Sequence, residues 1–179
     1  MSSLFRIRPI EPQDSAQLKS VILSVLTELK CVGPGFASSD PELQDLYAAF
    51  QHPPHQAPDR GYWVIQEQAT GRVLGGGGFA PLKGYTGPEK TCELQKVYFH
   101  PILRGRGFGR KILEKNFQEA QALGYQQMYL ETVGVMTNAI AMYEKLGFQR
   151  LEDRLGETGH ASCHIFMKRS LEKPALVLA

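Results

Sequence analysis

A chain of 179 residues is long enough to bury one hydrophobic core without disulfides or metals to hold it together. Its 42% hydrophobic and 21% charged residues exclude wholesale disorder, and a net charge of +2, with Lys and Arg spread out except around 104–111, excludes a general nucleic-acid surface. Cys31, Cys92 and Cys163 are too few and too widely spaced for a disulfide framework or a zinc site, so a reducing, cytoplasmic compartment is expected. The start MSSLFRIRPIEP lacks the apolar run of a signal peptide, and no stretch approaches a membrane span, so no membrane partner is expected.

Alternation over 4–8, with Phe5 and Ile7 opposite Arg6 and Arg8, predicts a first strand ended by Pro9 and Pro12. Asp14, with Gln17 three residues later, reads as a capping box opening a helix whose stripe is Leu18, Val21, Ile22, Val25, Leu26 and Leu29. After the loop CVGPGFASSD, Asp40 as cap and Pro41 at the first position predict a second helix carrying Leu43, Leu46, Tyr47 and Phe50, stopped by HPPHQAP. YWVIQEQ and RVLGGGGFAPL read as a hairpin turned at Ala69-Thr70-Gly71, and a longer strand follows at 91–99. No helix follows Gly75 to Gly78, so that run predicts close backbone packing or a bulge in a strand, not a phosphate loop.

A helix over 109–123 buries Ile112, Leu113, Phe117, Ala120 and Leu123 and stops at Gly124. The strand QQMYLET precedes a helix with Ala139, Ile140, Met142, Tyr143 and Leu146, closed by Gly147. Two strands near 148–153 and 162–168, joined by a turn around 154–160, complete the order βααβββαβαββ. That order predicts an α/β chain with a mixed sheet and helices on both faces, as one domain over 1–170 with a C-terminal tail at 171–179.

The informative segment is Arg104-Gly105-Arg106-Gly107-Phe108-Gly109-Arg110, set between a strand and a helix. Alternating glycines let backbone amides and a helix N-terminus converge on a phosphate, and the arginines with Lys111 add charge. The spacing is neither that of a P-loop nor the dinucleotide fingerprint, so nucleotide hydrolysis and hydride transfer lose support.

These residues resemble the GCN5-related N-acetyltransferase family, whose signature Q/R-x-x-G-x-G/A is matched by Arg104, Gly107 and Gly109. VYFHPILRGRGFGRKIL looks like the family's strand, pyrophosphate loop and helix, and AIAMYEKLGF looks like its second motif about 35 residues on. The resemblance implies acetyl-CoA as co-substrate and a primary amine as acceptor; no cysteine sits where a covalent acetyl-enzyme needs one, so direct attack in a ternary complex is expected, with no metal. The resemblance implies that Val97, Tyr98 and Phe99, on a splayed strand, pair with the pantetheine arm, and that residues 104–110 hold the pyrophosphate. It also implies that Tyr143 protonates the leaving thiolate, for which an ordinary phenol suffices, and it makes a homodimer one option for assembly. Where many members have asparagine this chain has Met136, with Asn138 two residues later as a substitute cofactor contact or simply a polar helix start.

Acyl transfer needs a neutral amine and hence a base. Glu93 is the first choice, reading by alternation on one face with Gln95, Val97 and Phe99, and Glu131 is a second. Specificity is expected from the 31–40 loop, the second helix and the 154–160 turn. His52, His55, His160, Cys163 and His164 make no complete metal-ligand set. Two rivals remain at this stage: a non-catalytic acyl-CoA-binding regulatory or interaction domain, and nucleic-acid binding through the arginine loop, which the near-neutral charge disfavours.

Overall fold

In a computed structural model describing residues 4–51 and 55–171, the opening alternation forms strand β1 (Phe5–Pro9), and the apolar stripe after it forms helix α1 (Ser15–Glu28). Helix α2 (Leu46–Ala49) precedes strands β2 (Gly61–Glu67), β3 (Val73–Pro81) and β4 (Thr91–Phe99). Helix α3 (Phe108–Ala122), strand β5 (Gln127–Thr132), helix α4 (Thr137–Lys145) and strands β6 (Gln149–Leu151) and β7 (Ile165–Ser170) follow. The order matches the expected βααβββαβαββ. His52 and residues 172–179 of the expected tail lie outside the described residues, whereas Leu171 is buried and its amide donates to the Gln126 carbonyl at 2.8 Å.

One seven-stranded sheet runs β1-β2-β3-β4-β5-β7-β6, antiparallel except where α3 carries the chain across to make β4 and β5 parallel. α1 and α2 cover one face, with Leu18, Ile22 and Leu26 packed among Leu43, Leu46, Phe50 and Val64. α3 and α4 cover the other, where Ile112, Leu113 and Tyr143 pack among Phe79, Leu94, Leu130 and Phe148. No helix among the described residues is long and apolar enough to cross a membrane.

Two local readings are corrected. The expected Asp14–Gln17 capping box is absent: the Asp14 carboxylate is buried against Arg8, with Nη1 and Nη2 donating at 2.6 and 2.9 Å, and it also accepts from the Glu11 amide at 2.8 Å. Gln17 instead accepts from the Val73 amide at 3.0 Å, tying α1 to β3. The expected second helix breaks into a 3-10 turn (Pro41–Gln44) and α2, because Asp45 is extended and caps α2 by accepting from the Ala48 amide. Asp40 does not cap at all; its side chain goes to the site described below.

Two irregularities of β4 position that site. β4 pairs with β5 only through Thr91, Cys92 and Glu93, so residues 94–99 diverge from β5 and the sheet opens into a V. Against β3, Lys96 and Val97 together face only Gly77, a bulge made where Lys96 adopts φ +53°. The glycine run is needed here: a Cβ on Gly77 would sit 2.9 Å from methyls of Ile112 and Val97, so only glycine lets β3, β4 and α3 approach this closely.

Candidate active site

The extra residue at the bulge reverses the alternation of β4. Cys92 and Leu94 point to the α3 face, and after Lys96 so do Val97 and Phe99. Tyr98 points with Glu93 and Gln95 to the α1 face, so the reading that put Glu93 on one face with Val97 and Phe99 is corrected. The same step places chemistry on both sides of the V.

On one side is a cleft of about 680 Å³, walled by residues 97–99, the turn before α3, Val25 and Glu28 of α1, and Met142 and Tyr143 of α4. At one end α3 begins. The amides of Phe108, Gly109 and Arg110 lead the helix and have no intrahelical acceptor, so they face out as anion donors. Gly107, at φ +77°, supplies the left-handed turn that aims them there. The Arg104 and Arg106 amides are already bound to the Pro101 and Leu103 carbonyls, so these two arginines offer side chains only.

The arginine side chains divide. Arg104 lines the cleft and is held by a bidentate pair with Glu28, at 2.7 and 2.6 Å, which raises its own pKa and lowers that of Glu28. Arg110 also lines it, bridged to Glu114 one turn on. Arg106 is turned away over the Phe5 ring, so its expected contact is not part of the cleft wall. Glu28 competes with any phosphate for Arg104. Glu28→Gln is therefore expected to tighten binding of inorganic diphosphate roughly twofold to fivefold at low salt, with the gain shrinking at high salt, as read by calorimetry.

Deeper in the cleft, Tyr143 projects from α4 with its ring edge-on to Phe148, and burial pushes its phenol up to about 12. The expected role needs only an ordinary phenol, and burial sets this one above that ordinary value. Asn138 and Thr137, at the start of α4, line the cleft, as does Met136, whose sulfur accepts from Thr132 Oγ1 at 3.4 Å.

On the other side of β4 lies a smaller cavity of about 60 Å³, which shares Tyr98 and Met136 with the cleft. Glu93 lines it, only 4% exposed, and burial raises its pKa against the opposing hydrogen bond from Gln95 Nε2 at 2.6 Å. His160 faces Glu93 through Nδ1 at 3.9 Å and pairs with Asp40 through Nε2 at 2.8 Å, and that Asp40 contact raises its pKa. Burial alone would raise Asp40, but its bonds to His160 and Lys96 hold it below the usual carboxylate range. Glu131 reaches the same cavity from β5.

The match to known proteins follows this geometry. Residues 25–148 match the model of the acetyltransferase (GNAT) family. The chain belongs to the GNAT acetyltransferase family. It is 38% identical over 166 residues to the uncharacterized N-acetyltransferase YjgM of Escherichia coli, covering 92% of this chain and 94% of that one. An acetyltransferase structure from Streptococcus agalactiae superposes with a TM-score of 0.75 at 18% identity, over 94% of this chain and 99% of that one. A Salmonella typhimurium acetyltransferase, solved with its cofactor acetyl-CoA, superposes with a TM-score of 0.69 at 22% identity, over 97% of each chain.

In this GNAT enzyme the expected specificity segments divide as well. Cys31, Phe36 and Ala37 of the 31–40 loop and His160 of the turn region line the small cavity, while the second helix does not. Asp40 and His160 fall within two of those segments, but their pairing spans 120 residues and leaves no local pattern in the sequence. No described group of histidine, cysteine or acidic side chains is arranged to hold a metal ion.

Proposed function

We propose that this acetyltransferase moves the acetyl group of acetyl-CoA to a primary amine by direct attack within a ternary complex. The observation that carries the reading is the split of β4 from β5, which sets a nucleotide-sized cleft and a carboxylate-lined cavity back to back across Tyr98 and Met136. The helix-leading amides of 108–110 and the Arg104 side chain fit a pyrophosphate, and strand residues 97–99, without β5 partners, fit an extended pantetheine arm. Acetyl-CoA supplies an activated acyl group on sulfur.

Glu93 accepts the proton that an incoming ammonium gives up, leaving the nitrogen a lone pair with which to bond the acyl carbon as the carbon–sulfur bond breaks. Tyr143 donates its proton to the departing sulfur, and solvent restores both groups while taking the second nitrogen proton. Burial raises the Tyr143 phenol, which keeps it protonated and able to donate. Among the described residues the three cysteines are free thiols, in keeping with a cytoplasmic protein.

Initial rates of thiol release, with acetyl-CoA and amine both varied, test the order of events. Intersecting double-reciprocal lines, with the acetylated amine identified by mass, are expected. Parallel lines would indicate a covalent acetyl-enzyme and overturn direct attack.

A further inference from the structure

We propose that the small cavity is an ammonium subsite in which Glu131 holds the acceptor nitrogen beside Glu93, fitted to an unbranched aliphatic primary amine and hostile to an acceptor bearing a carboxylate next to its amine. The inference rests on the N-acetyl transfer reading above. Glu93 is the last β4 residue paired with β5, opposite Tyr129, and Glu131 lies two residues further along β5 on the same face. The two carboxylates thus flank the point where the sheet opens, and both line the cavity.

Glu131 is the unexplained group. Its side chain is fully buried; Oε1 accepts from the Tyr129 hydroxyl at 2.8 Å and lies 3.1 Å from Arg154 Nε, but Oε2 has no hydrogen-bond partner among the described residues. A buried carboxylate oxygen without a donor is costly, and a bound ammonium supplies one. The nearby cations already face carboxylates, although Arg154 Nε, beside Glu131 Oε1, makes no hydrogen bond among the described residues. Lys96 and His160 both bind Asp40, and Arg154 binds the His160 and Cys163 carbonyls at 2.7 and 3.1 Å as well as flanking Glu131.

A ligand carboxylate would therefore meet two carboxylates and compete with Asp40 for its cations. The remaining wall includes Leu26, Phe36, Ala37 and Val133, which suits methylenes. With about 10–15 Å³ needed for each water-sized group, the cavity takes a short, straight alkylammonium head.

Thiol release from acetyl-CoA with n-butylamine, Nα-acetyl-lysine amide and norvaline tests this. Butylamine or the lysine side chain should exceed norvaline in kcat/KM by on the order of tenfold to a hundredfold, the scale of one charge-assisted hydrogen bond, and the better of the two identifies the source of the amine. Glu131→Gln should erase most of that preference through KM, with coenzyme A binding unchanged. Because this substitution also disturbs Arg154, calorimetry on the wild-type protein with coenzyme A runs beside it: butylammonium heat without norvaline heat is expected. Equal or better turnover of norvaline, or equal heats, would overturn the subsite while leaving N-acetyl transfer standing. Failure to acetylate any amine, with coenzyme A still bound, would overturn both.

Discussion

Tyr143→Phe is expected to lower kcat by about 10²- to 10⁴-fold, the usual span for a positioned proton donor, with KM for acetyl-CoA nearly unchanged. The ring stays where it is, edge-on to Phe148 and inside the α4 face of the core, so packing is preserved and only the hydroxyl is lost. Since burial holds the phenol at about 12, the wild-type rate should show no alkaline decline from this group at ordinary working pH. A thioester with a more acidic leaving thiol should recover much of the loss, because a stabilised thiolate needs less help in leaving. An unchanged kcat in the variant would remove Tyr143 from the chemistry and leave it a core residue.

Glu93→Gln is expected to cut kcat/KM for the amine by on the order of 10²- to 10⁴-fold and to remove the acid limb of the pH profile. In the wild type that limb should lie above the ordinary carboxylate range, because burial raises Glu93. The sign for stability is opposite to that for activity. A carboxyl whose folded pKa exceeds its unfolded one favours the fold fully below the unfolded pKa, and that contribution is lost as pH rises through the folded one. Glu93→Gln should therefore melt at a higher temperature than wild type at neutral pH, and the difference should vanish in acid. A variant that is both less active and less stable at neutral pH would point to a structural role.

Elements whose signal is local were legible before the structure. The stripe Ile112, Leu113 and Ala120 fixed the buried side of α3, and Gly147, at φ +87°, closed α4 as its position implied. The glycine run in β3 reads as close packing or a bulge, and the tight approach at Gly77 with the bulge between β3 and β4 bears that out. The capping readings failed for a physical reason. Asp14 and Asp40 look like helix caps in sequence but are drawn to Arg8 and to Lys96 with His160, while Asp45, not read as a cap, caps α2.

The site was half legible. Gly105, Gly107 and Gly109, neighbours in sequence, and Tyr143, singled out by the resemblance, line one cleft. The facing of Glu93 was misjudged because the bulge sits on Lys96, a residue with no sequence preference for φ +53°, and a single extra residue reverses every side chain after it. The unpartnered Glu131 oxygen depends on how Tyr129 and Arg154 fill the other side of its carboxylate, a tertiary outcome that no spacing rule carries.

The most direct test of the central claim is a crystal structure of the protein with coenzyme A. The diphosphate is expected within hydrogen-bond distance of the Phe108, Gly109 and Arg110 amides, the pantetheine arm along 97–99, and the sulfur beside the Tyr143 hydroxyl. A diphosphate bound away from the start of α3, or an arm that leaves the open edge of β4 untouched, would contradict the claim.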